Sequence, residues 1–215
     1  MTVSAEVKLL DQNTANQIAA GEVVEKPASV VKELVENALD AGAGKIDVTI
    51  FEGGTQYIRV ADDGSGMTEA NAKLAVLRHA TSKIRAAKDL MSLHTLGFRG
   101  EALPSIASVS NFQLLTRPVD EEFATSIRID GGEQTECQQT GGQAGTTVIV
   151  ENLFFNVPAR RKFLRTNATE GRYINELLTR LALSRPDVRF KLVSNDKEVL
   201  STPGNGSLFD AITAL

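Results

Sequence analysis

The feature that most restricts the fold is the stretch over residues 26–62, in which an amphipathic helix leads into two alternating strands. In PASVVKELVENALD the apolar residues recur at helical spacing, the proline suits a first turn, and Gly42 suits the C-terminal cap. The segments KIDVTIF and QYIRVA then alternate apolar and polar residues around EGGT, which predicts a hairpin over residues 45–61. A helix and a hairpin that each carry one apolar side bury those sides against each other.

The rest of the chain adds strands and helices in a mixed order. Further strands are predicted near residues 112–117, 124–130 and 146–151, with a last hairpin turning at residues 195–196. Further helices are predicted from Thr68 to about His79, from about Glu101, and over EGRYINELLTRLALS. This succession predicts an α/β (α+β) two-layer sandwich, that is, a mixed β-sheet with helices on one face.

Composition argues against several functional classes. The 215 residues carry a net charge of −4 from 23 basic and 27 acidic side chains, which argues against a globally basic nucleic-acid binder. The single cysteine, Cys137, excludes an intramolecular disulfide and a cysteine-rich metal site. The first residues are too polar for a signal peptide, and no apolar run approaches the roughly 18 residues of a membrane span. We therefore expect a soluble, cytoplasmic protein without a membrane contact.

The polar side of the first amphipathic helix is unusually rich in acidic and amide groups. Glu33, Asn37 and Asp40 are spaced i, i+4 and i+7, so they share one face of the helix. A solvated helix face is the ordinary explanation of such a pattern when it stands alone. Glu36 lies one position away from that face, which favours a surface or ion-paired role. The two histidines of the chain, His79 and His94, have no partner at metal-ligand spacing, which favours core or surface roles for both.

Three glycine-containing motifs follow the helix. DDGSG places Asp62 at a strand end with Gly64 and Gly66 behind it; the aspartate can accept a hydrogen bond from an exocyclic amine, and the glycines let a ring approach the backbone. The same letters are also ordinary turn chemistry. LGFRGEAL supplies glycines before a predicted helix, where backbone N–H groups form an anion site, and it is not a Walker loop. Thr146 follows a glycine at a strand start and offers a small hydroxyl.

The order of these motifs is that of the ATP-binding fold shared by gyrase B, histidine kinases, a heat-shock chaperone and MutL. The segments QIAAGEVVEKPASVVKELVEN, RHATSKI, GFRGEAL and NVPARRKFL narrow the match. The chain resembles the N-terminal ATPase domain of the bacterial MutL family of DNA mismatch repair proteins over essentially residues 8–215. The resemblance implies a Bergerat-type fold, with an ATP-binding domain over residues 1–203. It also implies an N-terminal arm over residues 1–20, an ATP lid over residues 80–103, and a linker with the start of a second domain over residues 204–215.

The resemblance also implies a role for each motif residue. Glu33 matches the general base for the water that attacks the γ-phosphate, Asn37 matches the Mg²⁺ ligand, and Asp40 orients neighbouring groups or is simply a charge at the helix end. Asp62 matches the residue that accepts the adenine amino group, Gly66 lines the ring pocket, and Thr146 contacts the adenine side through water. The lid residues implied near the nucleotide and its phosphates are Thr81, Ser82, Lys83, Leu96, Gly97, Phe98, Arg99, Gly100 and Glu101.

The function implied is slow ATP hydrolysis that resets a conformational switch. ATP binding orders the lid and brings two copies of the domain together, and a mismatch-recognition protein, a helicase or an endonuclease of the repair pathway then engages. A basic run, Arg160, Arg161, Lys162 and Arg165, is predicted either to bind DNA weakly and non-specifically or to be a solvated face.

A nucleotide-gated DNA- or protein-binding module with little or no hydrolysis remains the alternative. The second domain of the family supplies a lysine to the γ-phosphate, and no residue of this sequence can be matched to it. The sequence ends on an apolar run after TPGNG, so we expect it to be part of a longer chain, and we expect it to be monomeric without nucleotide.

Overall fold

The structure, a computed structural model, describes residue 9, residues 11–81 and residues 100–215. The helices of this part of the chain are Gln12–Val23 (α1), Pro27–Asp40 (α2), Glu69–Ala75 (α3), Ala102–Ala107 (α4), Pro158–Phe163 (α5), Asn167–Ser184 (α6) and Leu208–Thr213 (α7). Its strands are Lys45–Phe51 (β1), Tyr57–Asp62 (β2), Asn111–Arg117 (β3), Ala124–Asp130 (β4), Glu133–Thr140 (β5), Gly145–Glu151 (β6), Arg189–Ser194 (β7) and Lys197–Ser201 (β8).

The strands form one mixed sheet with the order β5-β4-β3-β6-β2-β1-β7-β8. Only the β1/β7 pair is parallel among these neighbours; every other adjacent pair is antiparallel. The hairpin predicted over residues 45–61 is confirmed as β1 and β2, and the last predicted hairpin is confirmed as β7 and β8. This topology places the ends of β2, β6 and β3 side by side near the centre of the sheet.

The core lies between one face of the sheet and the helices. Alternate residues of β1 are buried, as are Val30, Leu34 and Val35 of α2 and Ile174 and Leu178 of α6. α2 packs against α6, β1 and β2, which confirms the predicted two-layer arrangement. Each large aliphatic side chain removed from water in this way stabilises the fold by about 1.5–3 kcal/mol.

The C-terminus of α2 has the predicted glycine cap. Gly42 has a φ of +76°, a left-handed conformation that glycine adopts without steric cost. Its N–H donates to the carbonyl of Leu39 at 3.0 Å, and the N–H of Ala43 donates to the carbonyl of Ala38 at 3.1 Å. This pair of bonds satisfies the last carbonyls of the helix and turns the chain into β1.

Several elements differ from the sequence prediction, among them helix α5, which was not predicted. Helix α1, which begins at its N-cap Asp11, was not predicted; it lies mostly inside the segment interpreted as an N-terminal arm and continues beyond residue 20 to Val23. Helix α3 ends at Ala75 rather than near His79, which has a φ of +61°. Strand β5 was not predicted, because its sequence EQTECQQT is polar and mostly exposed at the edge of the sheet.

The last described element, α7, lies within residues 204–215, the segment interpreted as a linker and the start of a second domain. Its N-cap Ser207 accepts a hydrogen bond from the backbone N–H of Asp210, and Ala211 is buried. The domain boundary near residue 203 stays a prediction. Within the described ranges, no helix combines the length and the apolar character that a membrane span requires.

Candidate functional site

A cavity of about 930 Å³ lies between α2, α3, the adjoining ends of β2 and β6, and the residues on either side of positions 82–99. All three motif residues of α2 line it: Glu33, Asn37 and Asp40. Asp62, Gly66 and Thr146 line it as well. Residues from three separate sequence motifs therefore meet around one space.

The side of the cavity formed by α2 is acidic and partly exposed. Glu33 has a side chain that is 26% exposed, and its Oε1 lies 3.9 Å from Lys32 Nζ. Glu36 also lines the cavity, and its carboxylate lies 3.4 Å from the same ammonium group. Of the two roles that the sequence favoured for Glu36, surface or ion-paired, this distance supports the ion-paired role, although Glu36 lies closer to the site than its helical position suggested.

Asp62 ends β2 with its carboxylate held by two backbone groups. Its Oδ1 accepts hydrogen bonds from the N–H of Gly64 at 2.9 Å and the N–H of Thr146 at 3.3 Å. Burial raises the pKa of this carboxyl above its ordinary value, and these two hydrogen bonds oppose the increase. With Oδ1 occupied, Oδ2 is the oxygen left for a ligand. A half-buried carboxylate with a shifted pKa in a cleft is typical of a functional site.

The loop after β2 depends on Gly66. This residue has a φ of +66°, and a Cβ added to it would lie 2.2 Å from the carbonyl oxygen of Arg117. No side chain fits in that space. One residue earlier, the N–H of Ser65 donates to the carbonyl of Ala41 at 3.0 Å, which fastens the loop to the C-terminus of α2. This contact brings the DxGxG loop and the polar face of α2 to the same cavity.

Thr146 lies opposite Asp62 in the β2/β6 register and opposite Thr116 in the β3/β6 register. The hydroxyl groups of Thr146 and Thr116 lie 3.0 Å apart, and the N–H of Met67 donates to Thr116 Oγ1 at 2.9 Å. Sequence reasoning missed Thr116, because its position beside Thr146 follows from strand register and no motif marks it. Asn71 and Leu74 of α3 were missed as well and also line the cavity.

The described residues on either side of positions 82–99 form one rim of the cavity. Thr81, Gly100 and Glu101, which were predicted to lie near the nucleotide, line it. The α-carbon of Gly100 lies so close to Ala80 that an added Cβ would stand 2.4 Å from the Ala80 carbonyl oxygen. The predicted site residues Ser82, Lys83, Leu96, Gly97, Phe98 and Arg99 lie outside the described residues, as does His94.

The Glu101 carboxylate is engaged at this rim. Its Oε2 lies 3.2 Å from Arg78 Nη1, and its Oε1 lies 2.7 Å from His79 Nδ1. The resemblance assigned Glu101 a backbone contact to phosphate; the structure adds that its side chain joins the chain before residue 82 to the chain after residue 99.

The oxygen donors of the cavity fit Mg²⁺ that arrives with phosphate groups. Within the described ranges, no group of three or more His, Cys, Asp or Glu residues could hold a metal ion. The Asn37 amide lines the cavity together with the carboxylates of Glu33 and Asp40. Mg²⁺ usually keeps several waters and binds one or two protein oxygens plus substrate phosphates, so this sparse set suffices for it.

The four residues of the basic run lie in two different environments. The Arg160 guanidinium lies 5.5 Å from the centre of the Phe154 ring and against Gly21 of α1, where an added Cβ would meet its Nη2. Arg161, Lys162 and Arg165 are exposed. None of these four residues lines the cavity. Arg160 therefore packs between elements, while its three neighbours face solvent.

Comparison with known proteins identifies relatives over nearly the whole chain. Residues 25–143 match the family described as histidine kinase-, DNA gyrase B-, and HSP90-like ATPase. The chain is 58% identical over 211 residues to the DNA mismatch repair protein MutL of Symbiobacterium thermophilum, covering 98% of this chain and 33% of that protein. It is 55% identical to the MutL of Desulforudis audaxviator, covering 98% of this chain and 37% of that protein.

A solved structure agrees with these sequence relatives. The Aquifex aeolicus MutL ATPase domain complexed with ADP superimposes with a TM-score of 0.71 at 36% identity, over 89% of this chain and 69% of that one. The chain thus spans about a third of the length of the curated relatives it matches, and most of the solved ATPase domain.

Proposed function

The chain belongs to the MutL family of DNA mismatch repair proteins and carries its ATPase domain, and from that premise we propose how its own residues bind and hydrolyse ATP. The observation that carries the proposal is that the two groups of motif residues share one cavity. Glu33 and Asn37 lie on its α2 side, and Asp62, Gly66 and Thr146 lie at the strand ends. A cavity of about 930 Å³ is within the usual range of ligand sites, roughly 300–1,000 Å³.

The strand ends receive the adenine base. Asp62 accepts a hydrogen bond from the exocyclic amine through Oδ2, because its Oδ1 already accepts from Gly64 and Thr146. Gly66 lets the ring approach the backbone, since this position carries no side chain. Thr146 contributes its hydroxyl oxygen beside the base.

The α2 side receives the phosphates. Glu33 acts as the general base, which orients the attacking water and takes its proton; this role requires a carboxylate within one water of the phosphorus. Asn37 holds Mg²⁺ through its amide oxygen, and Asp40 orients its neighbours. Bound Mg²⁺ neutralises charge on the phosphate oxygens. The backbone N–H groups that cover the phosphates come from the lid, in which Thr81, Gly100 and Glu101 are described and the remaining predicted residues are not.

A wider role follows from the family, whose curated members are about three times the length of this chain. ATP binding brings two copies together as a clamp, which then engages DNA and the mismatch-recognition, helicase or endonuclease partners of a cytoplasmic repair pathway. Arg161, Lys162 and Arg165 are exposed cations suited to weak, non-specific contact with a phosphate backbone.

The test is a titration of ATP·Mg²⁺ that records binding and phosphate release together, for the parent chain, Glu33→Gln and Glu36→Gln. Both substitutions remove one carboxylate from the same side of the cavity and keep its size. Removal of a general base slows turnover by about 10²–10⁴-fold. We expect that loss for Glu33→Gln, with ATP binding retained. We expect Glu36→Gln to stay within a few-fold of the parent, since Glu36 pairs with Lys32.

The outcomes separate the proposal from its alternative. If all three proteins bind ATP and none releases phosphate, this domain is a nucleotide-gated module whose chemistry needs a group from elsewhere. Equal losses for the two substitutions would contradict the assignment of Glu33 as the base. If the parent chain does not bind ATP, the proposed nucleotide site is wrong.

A further inference from the structure

One buried hydroxyl joins the three segments that form the base end of the cavity. Thr116 of β3 is 1% exposed. Its Oγ1 accepts a hydrogen bond from the N–H of Met67, in the loop after β2, at 2.9 Å. The same oxygen lies 3.2 Å from the carbonyl oxygen of Gly145 and 3.0 Å from Thr146 Oγ1. Thr116 therefore contacts both the DxGxG loop and the strand that carries Thr146.

The donors and acceptors around Thr116 can be assigned by counting protons. A hydroxyl has one proton to donate and two lone pairs to accept with, whereas a carbonyl oxygen can only accept. All three contacts are satisfied together only when Thr116 donates to Gly145 and accepts from both Met67 and Thr146. In the opposite arrangement Thr116 donates to Thr146, and its contact with the Gly145 carbonyl carries no hydrogen bond. An unmade buried hydrogen bond costs about 1–3 kcal/mol, which favours the first arrangement.

The first arrangement fixes what the cavity offers to a base. The proton of Thr146 is directed to Thr116, so the Thr146 oxygen presents only lone pairs elsewhere. Asp62, when ionised, is also an acceptor only. These two side chains lie opposite each other in the β2/β6 register, and both line the cavity. At the base end of the cavity, Asp62 and Thr146 therefore offer two side-chain acceptors and no side-chain donor.

We infer that Thr116 is a positioning residue that turns the Thr146 proton away from the cavity. As a result, the site selects purines with an amino group at position 6 over purines with a carbonyl at that position. The inference rests on the proposed function, in which Asp62 and Thr146 receive the base. An amino group donates to the acceptors of the site. A carbonyl placed there meets acceptors only and leaves its own hydrogen bond unmade, and discrimination of this kind is large when a buried partner is left unpaired.

The test compares the dissociation constants of ATP and ITP for the parent chain, Thr116→Val and Thr116→Ser. The two nucleotides differ at position 6 of the purine and in the proton that ITP carries on N1, so the result is the change of their ratio from one variant to the next. Valine has nearly the shape of threonine and no hydroxyl, while serine keeps the hydroxyl. In Thr116→Val the Thr146 hydroxyl is released and can donate to the carbonyl of ITP. We expect the ratio of ITP to ATP dissociation constants to fall by about tenfold in Thr116→Val, the effect of roughly one hydrogen bond. We expect Thr116→Ser to restore the ratio of the parent.

A purely structural role for Thr116 gives a different result. If Thr116→Val weakens ATP and ITP by the same factor, or leaves the ratio unchanged, the inference is wrong. If the parent chain binds neither nucleotide, the proposed function fails first and the inference falls with it.

A second variant tests the orientation of the Thr146 proton without altering Thr116. In Thr146→Val the hydroxyl beside the base is absent, while Thr116 can still donate to Gly145. The ligands compared are ATP and the triphosphate of 6-methoxypurine riboside, which has an acceptor oxygen at position 6 and, like ATP, no proton on N1. If the Thr146 proton already points at Thr116, Thr146→Val cannot weaken binding of the methoxy nucleotide more than binding of ATP, and this is the expected result. A selective weakening of the methoxy nucleotide would mean that Thr146 donates to the ligand, and it would overturn the inference even if Thr116→Val did not fold.

Discussion

At the scale of single residues, Gly66 is the position of the site with least tolerance for change. Its φ of +66° is rarely adopted by residues with a side chain, and an added Cβ would lie 2.2 Å from the Arg117 carbonyl oxygen. We predict that Gly66→Ala lowers the free energy of unfolding by about 2 kcal/mol or more, from backbone strain and from the contact. We also predict that it abolishes ATP binding, because the loop must move away from β3.

The matched control is Gly141→Ala. An added Cβ at Gly141 meets no atom within 4 Å, and its φ lies outside the left-handed range. Urea denaturation followed by circular dichroism, with nucleotide titration of the same samples, compares the two variants. If Gly66→Ala and Gly141→Ala are equally stable, the loop after β2 can accommodate a Cβ, and the close approach of Gly66 to Arg117 does not restrict this position.

Asp62 gives the site a dependence on pH with a definite sign. Burial raises the pKa of its carboxyl above the ordinary value of 3.8, so the folded state favours the protonated form. The stabilising contribution of that form is complete below pH 3.8 and is lost as pH rises through the raised pKa. At neutral pH the charged carboxylate therefore costs stability that a neutral amide does not.

We predict that Asp62→Asn becomes more stable relative to the parent as pH rises from below 3.8 towards neutrality. An asparagine oxygen can still accept from Gly64 and Thr146, so the comparison isolates the charge. Urea denaturation at a series of pH values measures the difference in free energy of unfolding. A difference that is constant with pH, or that changes in the opposite direction, would contradict a desolvated Asp62.

At the scale of secondary-structure elements, helix α5 and the two residues after it carry one packed cation and three exposed ones. Arg160 lies over the Phe154 ring and against α1. We predict that Arg160→Gln lowers the free energy of unfolding by about 1–2 kcal/mol through lost cation–π and packing contacts. Substitution of Arg161, Lys162 and Arg165 by glutamine leaves stability unchanged, because these side chains face solvent. Thermal denaturation of the two variants compares them.

The same two variants test the proposed DNA contact. Each phosphate contact contributes about 0.7–0.9 to the slope of the logarithm of affinity against the logarithm of salt concentration. The triple glutamine variant should therefore weaken binding to duplex DNA of any sequence and reduce that slope by about 2–3. Filter binding at several salt concentrations measures it. If the salt dependence of DNA binding is unchanged in the triple variant, the three cations form a solvated surface and do not contact DNA.

The elements that sequence reasoning missed have physical reasons for being missed. Strand β5 lacks alternation because its edge position exposes both sides of most of the strand, and its pairing with β4 is a tertiary effect. Helix α1 is short of large apolar residues, and its clearest local signal is the Asp11 cap, whose side chain accepts from the N–H of Thr14 at 2.9 Å. Helix α2 was predicted with both ends because its proline, apolar face and glycine cap all agree.

At the scale of the whole molecule, the sequence predicted which motifs share the site but not how the sheet joins them. The polar face of α2, Asp62 and Thr146 could be brought together by motif order alone. Thr116 could not, because its role follows from the β3/β6 register and from a buried hydroxyl of a kind that many strands carry. Residues that act through strand register are invisible until the register is known.

The cavity is lined by helices and by strand ends, so a bound nucleotide joins both layers of the fold and stabilises the molecule as a unit. A ligand at 100 times its dissociation constant adds about 2.7 kcal/mol to the free energy of unfolding. For a chain of this size that is an increase in Tm of about 5–10 °C.

We predict such an increase in Tm for the parent with ATP·Mg²⁺, measured by scanning calorimetry, and we predict that Asp62→Asn loses it. In that variant the amide oxygen accepts from Gly64 and Thr146, so the amino group of the asparagine faces the amine of adenine. The control is Asp63→Asn, since Asp63 is exposed and accepts from the N–H groups of Gly44 and Lys45, away from the cavity. Asp63→Asn should keep the full increase; equal behaviour of the two variants would mean that the nucleotide does not use Asp62.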